Sequence, residues 1–151
     1  MSKANIAISA CLLGHNCRYD GKAKYYPKVE LLKDKYNLIP ICPEVLGGLP
    51  TPRVASEIVG NKVLREDGLD NSLYFNEGAK RALAIYKENN CVFAILKESS
   101  PSCGSNLVHD GSFSGKKIKG IGFTARQFMQ EGITIYTEED IDMLLEEAKN
   151  E

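Results

Sequence analysis

Five cysteines are the residues of this 151-residue chain best equipped for chemistry: Cys11, Cys17, Cys42, Cys91 and Cys103. The number is odd, so a fully paired intramolecular disulfide framework is excluded. No local metal or redox motif is present. The chain contains no Cys-x-x-Cys, which removes local support for a zinc-finger or thioredoxin-type site. A phosphatase-type loop also fails, because six residues separate Cys11 from Arg18 and the position that arginine would need is Cys17. Cys11, Cys42 and Cys103 are 31 and 61 residues apart, so a shared site must be assembled by folding. Three thiols with no evident fourth suit a 4Fe–4S cluster with one open iron, or a zinc with one open position. On spacing alone, five unrelated buried or incidental thiols remain an equal alternative. Cys91 lies in the apolar run Cys91–Leu96 and reads as a small core residue of a strand.

The neighbours of these thiols narrow the chemistry. Cys42 is followed by Pro43-Glu44 and then Gly47-Gly48, and Cys103 sits between Ser99-Ser100-Pro101-Ser102 and Gly104. Proline and glycine flanks let backbone approach a bulky ligand and leave amides free to face it. The carboxylate of Glu44 and the hydroxyls of Ser100 and Ser102 form a reasonable acid–base set beside the thiols. A bland account stands next to this one: serine, proline and glycine are ordinary loop residues, and Glu44 is then a solvated charge.

The elements that must position these residues follow from pattern. Ala4–Ser9, Leu38–Ile41, Cys91–Leu96 and Ile133–Tyr136 read as strands, the second interrupted by Pro40. Pro27–Tyr36, Asn71–Glu88, Phe123–Gln130 and Glu138–Ala148 read as helices, with Asp70 and Thr137 as capping candidates. Ile58–Val59 and Lys62–Leu64 around Gly60-Asn61 suggest a hairpin, and Lys117–Lys119 a weak strand. The alternation predicts an α/β fold: a single compact three-layer domain over residues 1–151, Rossmann-like, with a largely parallel sheet and helices on both faces. Cys11, Cys42 and Cys103 each follow a predicted strand, and loops at the carboxyl ends of parallel strands converge on a ligand site.

Nineteen basic against twenty acidic residues give a net charge of −1, so no overall positive field drives binding to nucleic acid or membrane. No apolar run reaches signal-peptide or membrane-span length, and the polar helix end Glu146–Glu151 matches no lipidation signal. A cytoplasmic protein is expected, and there a cysteine pattern points to metal binding or catalysis.

Taken in order, several motifs resemble one family. They are Ser9-Ala10-Cys11-Leu12-Leu13-Gly14, Cys17-Arg18-Tyr19-Asp20-Gly21, Cys42-Pro43-Glu44-Val45 with Gly47-Gly48-Leu49, Pro52-Arg53, Ser100-Pro101-Ser102-Cys103-Gly104, and Asp110-Gly111-Ser112-Phe113-Ser114-Gly115 with Gly120-Ile121-Gly122. The family is the small bacterial domain-of-unknown-function group whose characterised members are thiouracil desulfidases, and the likeness covers essentially the whole chain. The resemblance implies a 4Fe–4S cluster held by Cys11, Cys42 and Cys103, with the fourth iron lacking a protein ligand. It implies a non-redox desulfuration of a thiolated nucleobase to its oxo base, with sulfide released. In that scheme Glu44 activates water and shuttles its proton, and Ser100 and Ser102 hydrogen-bond the ring or the departing sulfur. The expected partner is a small-molecule thiobase; a thiobase carried by tRNA is the less favoured option. The chemistry is coherent by itself, since carbon–sulfur cleavage needs a soft acceptor for sulfur and a positioned base.

Other signals carry alternatives. Gly120-Ile121-Gly122-Phe123-Thr124-Ala125 fits a dinucleotide-binding pattern, but a tight turn into a packed helix is the favoured reading. Arg18 and Arg53 read as salt-bridge residues before anion clamps, and Asp20 and Asp110 as turn residues. His15 and His109 read as loop histidines or supports of the site, Lys116–Lys119 as a solvated basic patch, and Cys17 as a reserve or oxidation-sensitive thiol. The competing functions are therefore a non-catalytic iron–sulfur or zinc-binding, redox-sensing module, and a nucleotide-binding α/β domain.

Overall fold

The computed structural model describes residues 3–149; residues 1–2, and residues 150–151 of the polar end read above, lie outside the described residues. Four parallel strands form the central sheet: β1 (Ala4–Ser9), β2 (Tyr36–Ile41), β5 (Ala94–Ile95) and β8 (Ile135–Tyr136), in the order β2-β1-β5-β8. The register pairs Ile8 with both Pro40 and Ile95, and Ile95 with Tyr136.

Alternation along β1 builds a layer on each face. Ile6 and Ile8 point into a cluster with Val29 and Leu32 of α1 (Val29–Leu32) and Ile141 and Leu144 of α5 (Ile141–Lys149). Ala7 points the other way, with Ala94 and Leu96, onto Ala82 and Tyr86 of α3 (Ser72–Glu88) and Ala125 and Phe128 of α4 (Phe123–Gln130). The fold is thus the expected α/β arrangement, a parallel sheet flanked by helices on both faces. Two antiparallel hairpins extend it: β3 (Ser56–Val59) with β4 (Lys62–Arg65), and β6 (Leu107–His109) with β7 (Lys117–Lys119). A short helix, α2 (Pro43–Leu46), follows β2.

Several bounds differ from expectation. The first helix is one turn, not Pro27–Tyr36. Its flanks close with i→i−3 bonds such as Glu30 N–H to the Pro27 carbonyl and Lys35 N–H to the Leu32 carbonyl, and Tyr36 is drawn into the sheet, edge-on to Phe93 at 5.2 Å. Pro40 does not interrupt β2, which runs unbroken along the sheet edge. An edge strand pairs on one side only, so a residue facing outward forfeits no ladder bond. The fifth strand is two residues rather than Cys91–Leu96. Cys91 N–H bonds to the Tyr86 carbonyl and ends α3, so Cys91 is half-buried ahead of the strand, not inside it. β8 likewise starts at Ile135 rather than Ile133, whose N–H still bonds back to the Phe128 carbonyl of α4. Asp70 accepts from the Ser72 N–H at 2.8 Å at the start of α3. Thr137 accepts from the Glu139 N–H, and its own N–H is bound by the Asp140 carboxylate.

Candidate functional site

Because β2, β1 and β5 are parallel neighbours, their carboxyl ends stand side by side, and a cavity of about 370 Å³ opens there. Cys11, Cys17, Cys42, Glu44, Ser100, Ser102 and Cys103 all line it, so every predicted site residue meets at one place. Cys11 lies in the 3-10 turn Ala10–Leu13 that ends β1, Cys42 caps the start of α2, and Cys103 sits in the loop after β5.

The thiols are not alike. Cys103 and Cys11 are buried, at 5% and 8% exposure. Burial pushes Cys103 up to about 12; a hydrogen bond with Ser9 opposes this, while the charges of Cys42 and Cys11 add to it. Burial and then the Cys42 charge push Cys11 up to about 11, with Lys97 and Arg18 pulling the other way. Cys42 is lowered to about 7, first by a hydrogen bond from the Cys17 thiol and, against burial, by the Val45 N–H at the start of α2. Cys17 is pushed up by that same bond and by burial. Three thiols from three loops therefore face one cavity, and the Cys42 charge opposes ionisation of Cys11 and Cys103.

These donors fit an iron–sulfur cluster. They are soft and partly or fully buried, and as thiolates they would crowd negative charge together, which a cationic iron core offsets. Among the described residues no three His, Cys, Asp or Glu side chains are arranged to hold a single metal ion. The ligands of a four-iron cluster do not share a point either; they surround a body of several atoms.

Beside the thiols runs a polar chain. Arg53, which lies in a proline-rich loop, reaches Glu44 Oε1 with Nε and Nη2, both at 3.3 Å. It also donates to the carbonyls of Cys17 and Pro50. The expected salt bridge of Arg53 is thus a part-buried one that holds Glu44 in place. Ser102 Oγ donates to Glu44 Oε2 at 3.0 Å. Ser100 Oγ accepts the N–H of Cys103 at 2.7 Å and of Ser102 at 3.2 Å, and lies 3.1 Å from Ser102 Oγ. With the Ser102 proton directed at Glu44 and the Ser100 lone pairs occupied, the order of donation is Ser100 to Ser102 to Glu44.

The cysteine loop is organised by Glu98, a residue the sequence reading missed. Its Oε1 accepts from the N–H groups of Ser105, Asn106 and Leu107 at 2.9, 3.0 and 3.1 Å, and from Ser99 at 3.4 Å. Its Oε2 accepts from the Asn106 side chain. Burial raises the Glu98 carboxyl, but these donors together hold it below the ordinary value. No local pattern marks this role, because the donors lie seven to nine residues downstream.

The late glycine motif closes the same loop. At the start of α4 the N–H of Phe123 bonds to the Pro101 carbonyl, and those of Thr124 and Ala125 bond to the Ser102 carbonyl. The amides a dinucleotide phosphate would need are thus taken by the serine loop, so the packed-turn reading holds. A Cβ on Gly122 would stand 2.5 Å from the Ser102 carbonyl oxygen. Gly47 and Gly78 let α2 and α3 touch; a Cβ on Gly78 would overlap the Pro43 carbonyl.

Among the remaining candidates, Asp20 and Asp110 accept from the N–H two residues on and are turn residues. Arg18 pairs with Asp20 at 3.7 Å and also lines the cavity. His109 lines the cavity, its Nδ1 3.1 Å from the Ser99 carbonyl oxygen, whereas His15 is exposed. Of the basic patch, Lys117 reaches the cavity lining.

The model of the 2-thiouracil desulfurase family matches residues 6–140, which include every residue of this cavity. The chain belongs to the 2-thiouracil desulfurase family. It is 40% identical over 150 residues to the uncharacterised protein YbbK of Bacillus subtilis (strain 168), covering 93% of this chain and 99% of that one. Its fold is similar to the solved structure of TudS, a [4Fe-4S]-dependent thiouracil desulfidase, with a TM-score of 0.89, 38% identity, and coverage of 99% of this chain and 100% of the other. Within the family frame, Cys91 lies away from the cavity lining, and Cys17 lies on it beside Cys42. No helix among the described residues is long and apolar enough to cross a membrane.

Proposed function

We propose that this protein is a 4Fe–4S-dependent desulfidase, a single domain that hydrolyses the carbon–sulfur bond of a free thiouracil-like base in the cytoplasm. The observation that carries the reading is the meeting of Cys11, Cys42 and Cys103 with the Glu44–Ser102–Ser100 chain around one cavity. Membership of the family and similarity to TudS support it. Cys11, Cys42 and Cys103 would hold the cluster, which when bound supplies a soft Lewis acid with one iron free for the thiocarbonyl sulfur.

The chain's own residues supply the rest. Glu44, anchored by Arg53 through Oε1, presents Oε2 as a base toward water. Water oxygen becomes the new carbonyl oxygen, the carbon–sulfur bond breaks, and both water protons end on sulfide. No electron is gained or lost overall. Ser102 and Ser100 form a hydroxyl pair that moves a proton between Glu44 and the departing sulfur, and the Cys103 N–H fixes Ser100 in that line. The test is anaerobic purification followed by a thiobase screen for sulfide release. A cluster-bearing protein that turns over no thiobase would instead support the sensing module.

A further inference from the structure

Three carboxylates line the cavity, and two have a hydrogen bond on each oxygen. Glu44 binds Arg53 through Oε1 and Ser102 through Oε2. Glu98 binds loop amides through Oε1 and Asn106 through Oε2. Glu57, on β3, differs. It is only 8% exposed, and its Oε1 accepts the N–H of Gly111 at 2.9 Å and of Phe113 at 3.2 Å. Its Oε2 has no hydrogen-bond partner among the described residues, and it is not one of their sealed, unpartnered atoms. Glu57 thus lines the cavity with its side chain pinned through one oxygen and the other oxygen free of any hydrogen bond among the described residues. Of the five cavity cations, Arg53, Lys97 and Arg18 pair with Glu44, Glu138 and Asp20, and neither Lys24 nor Lys117 forms an ion pair with Glu57 among the described residues.

A largely desolvated carboxylate oxygen without a donor is costly, and a ligand that brings an N–H removes that cost. We propose that Glu57 Oε2 accepts a ring N–H of the substrate base and so selects an unsubstituted N–H edge. This rests on the desulfidase reading, since a thiouracil-type ring carries N–H donors beside its carbonyl and thiocarbonyl groups. The loop Asp110–Phe113 acts through the other oxygen, fixing the carboxylate so that Oε2 keeps one direction. A site built to bond a substrate N–H rejects analogues that lack it far more strongly than an apolar pocket rejects an added methyl.

Uracil serves as a probe that binds without reacting, with 1-methyluracil and 3-methyluracil each lacking one N–H. On the anaerobic, cluster-loaded wild-type protein, calorimetry should show one of the two isomers binding about ten-fold or more weaker than uracil. Glu57→Gln keeps a carbonyl oxygen for Gly111 and Phe113 but turns an amide donor toward the cavity. It should weaken uracil about ten-fold and abolish the discrimination, raise KM for thiouracil by a similar factor, and leave iron content unchanged. Glu57→Asp is the second variant; it keeps the charge, draws the oxygen back, and should shrink the same ratio. Equal wild-type binding of uracil and both isomers would overturn the proposal, as would discrimination that survives in both variants. Failure of the desulfidase reading is separate: wild-type protein would then release no sulfide from thiouracil, whatever its uracil preference.

Discussion

Glu98 should hold the cysteine loop together, and its removal should be measurable in stability before it is measured in activity. Three well-formed N–H bonds of 2.9–3.1 Å converge on its Oε1, and Glu98→Ala leaves those donors without their acceptor. At roughly 1 kcal/mol net for each bond, the loss comes to about 3 kcal/mol. For a chain of this length that lowers Tm by about 6–12 °C. The assay is thermal unfolding of cluster-free, reduced protein, where no cofactor equilibrium contributes. The pH dependence follows from the sign of the shift. The folded carboxyl lies below its ordinary value of 4.5, so its stabilisation is present above that value and is lost as pH falls through the lower folded one. Wild-type stability should therefore fall more steeply than that of Glu98→Ala below about pH 4.5. A variant within about 0.5 kcal/mol of wild type, or with an identical acid slope, would refute this account of the loop.

Four further outcomes are expected. Glu44→Gln should retain the cluster spectrum and lose about 10²–10⁴-fold in kcat for thiouracil. Ser100→Ala, which leaves the Cys103 and Ser102 amides unpaired, should cost about 1–3 kcal/mol in unfolding free energy as well as activity, whereas Ser102→Ala should act mainly on kcat. Gly122→Ala should destabilise by about 1–3 kcal/mol and lower iron occupancy, because its Cβ meets the Ser102 carbonyl. Cys103→Ala should lose the absorbance of the intact cluster, and Cys91→Ala should keep it, as read by visible spectra of reconstituted samples.

What the sequence made legible was set by local rules. α4 lies at Phe123–Gln130 as read, because Gly122 and the apolar spacing of Ala125 and Phe128 define it without outside help. The convergence of the candidate residues was legible because they stand in loops that follow parallel strands, and strand order then brings those loops together. The third central strand was overextended at its start, since an apolar run cannot show that Cys91 finishes the preceding helix while the strand itself is Ala94–Ile95. The short first helix was overextended too, because Tyr36 is recruited by the sheet through Phe93. Glu98 and Glu57 escaped notice for a shared reason. Their partners, Asn106 and Leu107 in one case and Gly111 and Phe113 in the other, are fixed by tertiary placement rather than by spacing. The motif Gly120-Ile121-Gly122 displays a phosphate-binding pattern, yet the carbonyls of Pro101 and Ser102 occupy the helix start, which only the folded chain reveals.

The central claim is that three thiols and one anchored carboxylate form a hydrolytic desulfuration site. The most direct measurement is sulfide release from thiouracil by anaerobically purified protein, with iron and acid-labile sulfide quantified on the same sample. The account predicts about four iron and four sulfide per chain, with stoichiometric conversion of thiouracil to uracil and free sulfide in the absence of any added reductant or oxidant. A fully loaded protein that leaves thiouracil intact, or one that desulfurates it equally well without iron, would contradict it.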